Sequence, residues 1–429
     1  MSVKIITGGI GSGKTRYCTD EMEKLHNKSP EKRCIMIVPS HYSHETERML
    51  INRFGGTGLN NIECTSFEKL SRELLPQVLR RLGAPAKHVL ICRAIALTLK
   101  ELDTDRFDTR LIRAAGKNGF IDVCASLISE MHRYNVTCDD LLEQAEKSEN
   151  PVLSQKLEIL SFILKNYENL LCEKEYTDAD DDLSRLSAVI GNSFGKSDSI
   201  WIDKFDELLP QQLEVVFALI DSGADITITF TTHNNIDDTY YGTKKAIADI
   251  TEYADAIFIR LENSMSHIKS PDLRFLFETW FDHTVYDDDC NNAEIFEARD
   301  AYTETEHVAG KILDLVREDK YRFCDIGIIC PQKDSYSHIL ETVFDEYSIP
   351  YYSDERISIS EYPIATQLLS LFDIIEYNWD YESVFAYLRA GFVFAKTHTQ
   401  NGKTVYKRLD PDDIDLLENY VLKYGIRYK

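Results

Sequence analysis

The 429-residue sequence contains no apolar run approaching the roughly 18 residues that cross a bilayer. After Met1 and Ser2 it runs straight into VKIITGG, without the charged and apolar regions of a secretory leader. Both absences argue for a soluble globular chain and predict a cytoplasmic address. C-x-x-C spacing is also missing: the ten cysteines, at 18, 34, 64, 92, 124, 138, 172, 290, 324 and 330, stand apart among apolar residues. This excludes the usual paired-cysteine metal motifs and predicts reduced core thiols. Positive charge is scarce, with 48 Lys and Arg against 72 Asp and Glu and a formal net charge of −24. Such a chain does not coat nucleic acid by bulk attraction, so any contact needs a local basic groove or a basic partner. Internal repeats and low-complexity tracts are absent too. What is plentiful is apolar mass: 43% hydrophobic content at this length is enough for two to four cored units.

From Val3 to about Phe67, short β-branched runs (VKIIT, CIMIV, IECTSF) alternate with helical stretches, the pattern of a parallel sheet with crossover helices. From about Glu68 to Asp182 the apolar residues recur at helical spacing instead. Ile121, Ala125, Ile128 and Met131 form one stripe, and Leu157, Leu160, Leu164, Tyr167 and Leu171 another. Strand signals return at SIWID (199–203) and DITITF (225–230), so the spacing predicts an all-α insertion within one sheet domain. The acidic stretch DADDDL (178–183) reads as a solvated loop. After the polar junction VYDDDCNNAE (285–294), the runs EIFEA, DIGIIC and IPYY with intervening helices predict a second βαβ unit. The final LENYVLKYGIRYK reads as a helix cut short, which predicts a fragment of a longer protein.

The strongest local signal is GGIGSGKT, residues 8–15, which fits G-x-x-x-x-G-K-[ST] between a strand and a helix. Gly8, Gly9, Ile10, Gly11, Ser12 and Gly13 would wrap a phosphate with backbone amides, Lys14 would reach the outer phosphates, and Thr15 would hold Mg²⁺. A second Mg²⁺ anchor is needed at a neighbouring strand end, and Asp203 after SIWI is the natural candidate. Hydrolysis further needs a carboxylate to orient water, and Lys204 cannot serve. Asp206 and Glu207 are weak candidates, since DELLPQQ also reads as a helix start whose acidic residues complement the dipole. Three further patterns favour plainer readings. The H-x-x-H of SHYSHETE (40–47) suits a helix start better than a metal. Asp314, Glu318 and Lys320 suit the exposed end of an amphipathic helix better than a nuclease. The basic clusters Arg80, Arg81, Lys87 and Arg106, Arg110, Arg113, Lys117 suit solvated faces, although they, with His41, Tyr42 and Phe67, could line a single-strand path.

Taken together, the early phosphate loop, VPSHYSHETE, the SF of CTSFEKL, AAGKNGFIDVCASLISEMHRY, IWIDKFDELLPQQLEVV and FEARDAYTETEHVAGKILDLV resemble one family. It is the B subunit of bacterial AddAB-type ATP-dependent helicase/nucleases, related to superfamily I helicases of the UvrD and RecB kind. The resemblance runs in order through residues 1 to 395. It implies an α/β fold of RecA-like parallel sheets. Residues 1–75 and 183–290 would form the first RecA-like domain, 76–182 its helical insertion, 291–390 an incomplete second RecA-like domain, and 391–429 the start of a further insertion. It also implies ATP and Mg²⁺ as ligands, an A-type helicase/nuclease subunit as partner, and DNA ends or single-stranded DNA as substrate in recombinational repair. The family's C-terminal nuclease domain and iron–sulphur cluster are not expected within this stretch.

Three departures from active superfamily I helicases weigh on hydrolysis. The D-E-x-x motif reads D-K-F-D; DITITF runs into TTHNN rather than G-D-x-x-Q; and Pro331 and Gln332 stand where an arginine senses the γ-phosphate. Loss of a single transition-state cation costs on the order of 10³-fold or more. The sequence therefore predicts ATP·Mg²⁺ binding with weak or no turnover. The alternatives are an autonomous single-strand translocase using Asp206 or Glu207 as base, and a P-loop small-molecule kinase or signalling ATPase without a DNA role.

Overall fold

A computed structural model describes residues 3–55, 61–75, 80–102, 117–232, 240–262, 268–279, 284–318, 320–331, 333–353, 359, 362–400 and 403–427. The chain divides into two units, Met1–Glu294 and Ile295–Lys429.

The first unit is built on a six-stranded sheet, with β1 (Val3–Gly8), β2 (Arg33–Ile37), β3 (Ile62–Thr65), β6 (Asp198–Ile202), β7 (Asp225–Thr231) and β8 (Ala256–Arg260) in the order β3-β2-β6-β7-β1-β8. Every neighbouring pair is parallel. The sheet is apolar on both faces because helices cover both, as parallel sheets require. Ile5, Ile35, Ile37, Ile200, Ile202, Ile226 and Ile228 point into one core. Their alternates Ile6, Cys34, Met36 and Trp201 point into the other, against α1 (Lys14–Lys28) and α2 (Ser43–Phe54). A third helix, α3 (Phe67–Leu74), follows β3, with Ser66 as N-cap accepting from the Lys69 amide. Strand β8 was not singled out by sequence. It is an edge strand whose Ile257 and Phe258 are exposed, so its apolar pattern is weak.

Between β3 and β6 the chain forms α4 (Ala84–Glu101), α5 (Asn118–Arg133), α6 (Cys138–Lys147) and α7 (Pro151–Glu173). Both predicted stripes enter one core there, with Ile128, Met131, Leu164, Tyr167 and Leu171 buried and the remaining stripe residues packed against them. A two-residue parallel ladder between β4 (Arg80–Arg81) and β5 (Tyr176–Thr177) brings the entry and exit of the insertion together.

The acidic run is not a solvated loop. Asp178 is 2% exposed and Asp182 6%. Lys87 Nζ lies 2.8 Å from Asp178 and 2.5 Å from Asp180. His132 Nδ1 is 2.6 Å from Asp181, and Arg81 is 2.5 Å and Arg185 3.6 Å from Asp182. Tyr167 donates its hydroxyl to Asp178 at 2.7 Å. Gln211, on α9 (Pro210–Asp221), donates to the Asp180 carbonyl at 2.8 Å and so ties the run to the sheet's helical cover. Composition alone could not reveal this, because Arg81, Lys87 and His132 arrive from β4, α4 and α5, far away in sequence, and only Arg185 is local. Arg81 and Lys87 are consequently ion-paired and are not offered to a phosphate chain. The Arg80 side chain and residues Arg106, Arg110 and Arg113 lie outside the described residues, and Lys117 is exposed. After α8 (Asp182–Ile190) the chain re-enters the sheet at β6, and α10 (Tyr241–Tyr253) and α11 (Pro271–Thr279) complete the described elements of this unit.

In the second unit, α12 (Ala301–Arg317) and α13 (Lys333–Glu346) pack through Ala309, Ile312, Val343 and Phe344. Then follow α14 (Pro363–Glu376), α15 (Tyr381–Arg389), an antiparallel hairpin of β9 (Phe394–Gln400) and β10 (Lys403–Arg408), and α16 (Pro411–Tyr424). The terminal helix is present but is not cut short: it is closed by Gly425 in the left-handed region at φ 67°. The runs EIFEA and DIGIIC differ from expectation: neither enters a ladder, and Ile295 is 100% and Ile329 95% exposed. Strand propensity is realised only beside a partner strand, and none of the described residues supplies one there.

A candidate nucleotide site at the strand ends

The carboxyl ends of β1, β6 and β7 converge, the place where open parallel sheets bind ligands. The loop from β1 to α1 is wound tightly. Gly11 and Gly13 sit at φ 73° and 90°, conformations that favour glycine. A Cβ added to Gly8 would come within 2.5 Å of Ser12 Oγ and 3.2 Å of the Leu261 carbonyl, so the loop also excludes a side chain there. The Ser12 amide donates to the Gly9 carbonyl at 3.2 Å, while Ser12 Oγ is buried without a partner.

Helix α1 begins at Lys14 with neither a side-chain cap nor an acidic residue in its first turn. Its N-terminal potential is thus left for an external anion. Lys14 Nζ donates to the carbonyls of Gly8 (3.0 Å) and Gly9 (2.8 Å), which folds the ammonium over the loop. Burial holds this lysine below its ordinary range, against the opposing pull of the Asp203 and Asp206 carboxylates.

Asp203 follows β6 and is 1% exposed. Its amide donates to the Ile37 carbonyl at 3.0 Å, which extends the β2–β6 pairing by one step. Thr15 Oγ1 donates to Asp203 Oδ2 at 2.7 Å, and Thr229 Oγ1, from the middle of β7, donates to Oδ1 at 2.5 Å. Among the described residues no Lys, Arg or His forms an ion pair with this carboxylate. A buried carboxylate held by two hydroxyls, beside a phosphate-type loop, fits the oxygen-ligand chemistry of Mg²⁺. Thr229 was not singled out by sequence, since threonine is ordinary in a strand.

The next residues separate three roles. Lys204 has φ 66°, a left-handed conformation that costs a non-glycine residue about 1–3 kcal/mol. Its ammonium turns toward the start of α2, donating to Thr46 Oγ1 at 3.2 Å, lying 3.8 Å from Glu45 Oε1 and 4.9 Å from the Tyr42 ring centroid. Asp206 is exposed and acts electrostatically on Lys14, whereas Glu207 lies against Gly242 at the start of α10, where an added Cβ would meet its carboxylate at 2.6 Å. Of the two candidate bases, Asp206 is the one whose charge acts on Lys14 of the glycine-rich loop.

A cavity of about 860 Å³ extends from Gly11–Thr15 along α1 to α2, lined also by Tyr17, Asp20, Met49, Arg53 and Leu261. Arg53 bridges the two helices, donating to Thr19 at 2.6 Å, to Asp20 at 2.5 Å and to Glu23 at 3.0 Å. His41 and Tyr42 are exposed neighbours with ring centroids 4.2 Å apart. Phe67, grouped with them by sequence, is instead 1% exposed and packs on Phe205 at 5.4 Å. Its position as the first residue of α3 turns it into the core, away from any strand path. Among the described residues no group of three His, Cys, Asp or Glu could hold a metal, and no helix is long and apolar enough to cross a membrane. Of TTHNN, Thr231 and Thr232 are described and His233, Asn234 and Asn235 are not; Gln332 likewise lies outside the described residues.

Comparison with known proteins agrees with this geometry. Residues 5–283 match the family described as ADDB, N-terminal. Across its whole length the chain is 30% identical to the B-type subunit of an ATP-dependent helicase/deoxyribonuclease from Clostridium novyi, 29% to its counterpart from Caldanaerobacter subterraneus and 30% to that from Clostridium acetobutylicum. It spans 38%, 37% and 37% of those relatives.

Proposed function

The chain belongs to the ADDB N-terminal family, and from that premise we propose that it is the nucleotide-binding, helicase-like part of a B-type subunit in a heterodimeric ATP-dependent DNA helicase/exonuclease. The whole protein would process double-strand DNA ends for recombinational repair together with an A-type partner. Residues 1–75 and 183–290 would act as the first RecA-like domain, 76–182 as its insertion, 291–390 as the second RecA-like domain and 391–429 as the start of another insertion. This part would bind ATP·Mg²⁺ and turn it over weakly or not at all.

The observation that carries the reading is the meeting of Thr15 and Asp203 at 2.7 Å beside a loop where Gly8 leaves no room for a Cβ and Gly11 and Gly13 hold left-handed backbones. The amides of residues 8–15 and the uncapped start of α1 would receive the phosphates. Lys14, already desolvated, would exchange its two carbonyl partners for phosphate oxygens. Thr15 and Asp203 would hold Mg²⁺, which when bound supplies charge neutralisation and alignment of the outer phosphates. Thr229 keeps the Asp203 carboxylate oriented through its second oxygen. Lys204, directed at Thr46, contributes neither a base nor a charge to the phosphates. The nucleotide then works as a conformational ligand, favouring one domain arrangement by differential affinity.

Coupling of Asp206 to Lys14 favours one second reading, a slow ATPase in which Asp206 orients the water. Both are tested on the intact heterodimer by equilibrium MgATP binding alongside steady-state hydrolysis with and without single-stranded DNA, with the ATPase of the A-type partner inactivated. Tight binding with no DNA-stimulated turnover supports the conformational role. Robust turnover abolished by Asp206→Ala would replace it with the second reading, and failure to bind MgATP at all would sink both. Failure of the heterodimer to bind DNA would instead favour a P-loop enzyme without a DNA role.

A further inference from the structure

Helix α2 is attached at both ends to elements of the nucleotide site. At its N-terminal end Lys204, the residue covalently next to Asp203, donates to Thr46, which is wholly buried, and lies over the Tyr42 ring. Near its C-terminal end Arg53 is clamped to Thr19 and Asp20 of α1, the helix that begins with Lys14 and Thr15. A left-handed backbone at a lysine persists only where the surroundings over-determine it. Here the determinants are the Asp203 amide bonded to Ile37 on one side and three side-chain partners on α2 and its entry turn on the other. Lys204 therefore has little room to absorb a displacement of Asp203 by rotating freely. The turn that α2 follows is held as well: Ser40 donates to Glu68 at 2.5 Å and to Ser66 at 3.3 Å, tying it to the start of α3.

We propose that Lys204 is a positioning residue that transmits occupancy of the Thr15–Asp203 site to α2 and to the exposed turn Ser40–Tyr42 before it. The position that faces water in a hydrolysing relative would here carry a signal outward. This inference rests on the nucleotide reading above and goes beyond it by naming the element that responds. When a ligand draws on the Asp203 carboxylate, the adjacent Lys204 peptide moves with it. Its ammonium, seated between Thr46, Glu45 and Tyr42, carries that movement into the first turn of α2. Arg53 holds the far end of the helix to α1, so the two ends of α2 report on the two halves of the same site.

Hydrogen exchange on the intact protein in its heterodimer, with and without adenylyl-imidodiphosphate and Mg²⁺, tests this. In the wild type, amides in both 8–20 and 40–50 are expected to slow, the latter by about 5-fold or more, the lower range of ordinary coupling between sites. Lys204→Met keeps the aliphatic stem and loses the donor. Lys204→Gly suits the left-handed backbone and so preserves folding. In both variants the 8–20 response and the nucleotide affinity should stay within about 2-fold, while the 40–50 response is lost; Lys204→Arg, which retains a donor and a cation over Tyr42, should restore it. An unchanged 40–50 response in the Met and Gly variants overturns the proposal. So does a wild-type response confined to 8–20. No response at 8–20 in the wild type would remove the nucleotide reading itself, and this inference with it.

Discussion

The first unit holds two carboxylate sites, one of four neighbouring aspartates and one of a single buried aspartate, and they are built on opposite terms. In the run from Asp178 to Asp182 each of the four aspartates faces a cation: Lys87 serves two of them, His132 one, and Arg81 with Arg185 the last. At the strand ends Asp203 is as deeply buried, yet among the described residues its oxygens accept only from the hydroxyls of Thr15 and Thr229. The first cluster carries its own matching charge, and removing Lys87 would leave Asp178 and Asp180 without theirs. The second has no ion pair among the described residues, only the longer-range pull of Lys14, and under the proposed function it would gain its matching cation from outside. What separates structural from functional acidity here is whether the fold supplies the matching charge, not the number of carboxylates.

The sharpest way to break this comparison is to strip the cation from the self-contained cluster. Lys87→Met leaves Asp178 and Asp180 without their shared partner, and a loss of about 3–5 kcal/mol in unfolding free energy is expected. Denaturant titration measures it. Nucleotide affinity of the molecules that remain folded should not change, and a large drop would mean that the insertion and the loop are one system.

Lys14→Ala should do the reverse. Removing a charge-assisted contact to phosphate is worth about 2–3 kcal/mol, or roughly 100-fold in MgATP affinity by equilibrium binding. Unfolding free energy should hold within about 0.5 kcal/mol, because the bonds the lysine makes to the Gly8 and Gly9 carbonyls are offset by its own desolvation. Asp203→Asn sharpens the point. It keeps an acceptor for Thr15 and removes the uncompensated charge, so stability should stay level or rise by about 1 kcal/mol while Mg²⁺ ceases to strengthen nucleotide binding. A marked destabilisation by Asp203→Asn would show that this carboxylate belongs with the structural cluster after all.

The shape of the glycine-rich loop at 8–15 was legible in sequence because its backbone dictates residue types: φ values of 73° and 90° ask for Gly11 and Gly13, while Lys14 and Thr15 are what the proposed phosphate chemistry would ask for. The six-stranded sheet was legible in five of its strands: four are buried on both faces, and the edge strand β3 keeps Ile62 and Thr65 buried; β8, at the other edge, was not, since its exposed Ile257 and Phe258 dilute the pattern. Partners brought from a distance stayed hidden. Nothing local to DADDDL predicts Lys87 or His132, nothing in DITITF marks Thr229 as an orienting residue, and nothing in CTSF tells that Phe67 turns inward. That Lys204 cannot serve as a carboxylate base follows from its residue type alone, but the direction of its side chain is a tertiary fact set by Thr46 and Tyr42.

The smallest effect belongs to pH, and its sign separates the two clusters once more. Burial works against a charged His132, but the Asp181 carboxylate beside it, with Asp178 behind, holds the imidazolium above its ordinary range, while Lys87 opposes. A group whose folded-state pKa lies above its unfolded value contributes stability that is fully present below the unfolded pKa and is lost as pH rises through the folded one. Amides of residues 124–133 and 178–182 should therefore exchange faster, relative to the intrinsic rate, once pH climbs above the ordinary histidine range of about 6.5. His132→Gln should flatten that dependence. Lys14 behaves in the other direction: with its pKa lowered by burial, it loses its proton earlier in an alkaline titration than an exposed lysine does, and nucleotide affinity should fall there while the insertion has already reached its alkaline plateau. If both regions instead responded over one pH interval, the two clusters would be energetically joined, and the division between a self-contained and an open carboxylate site would not hold.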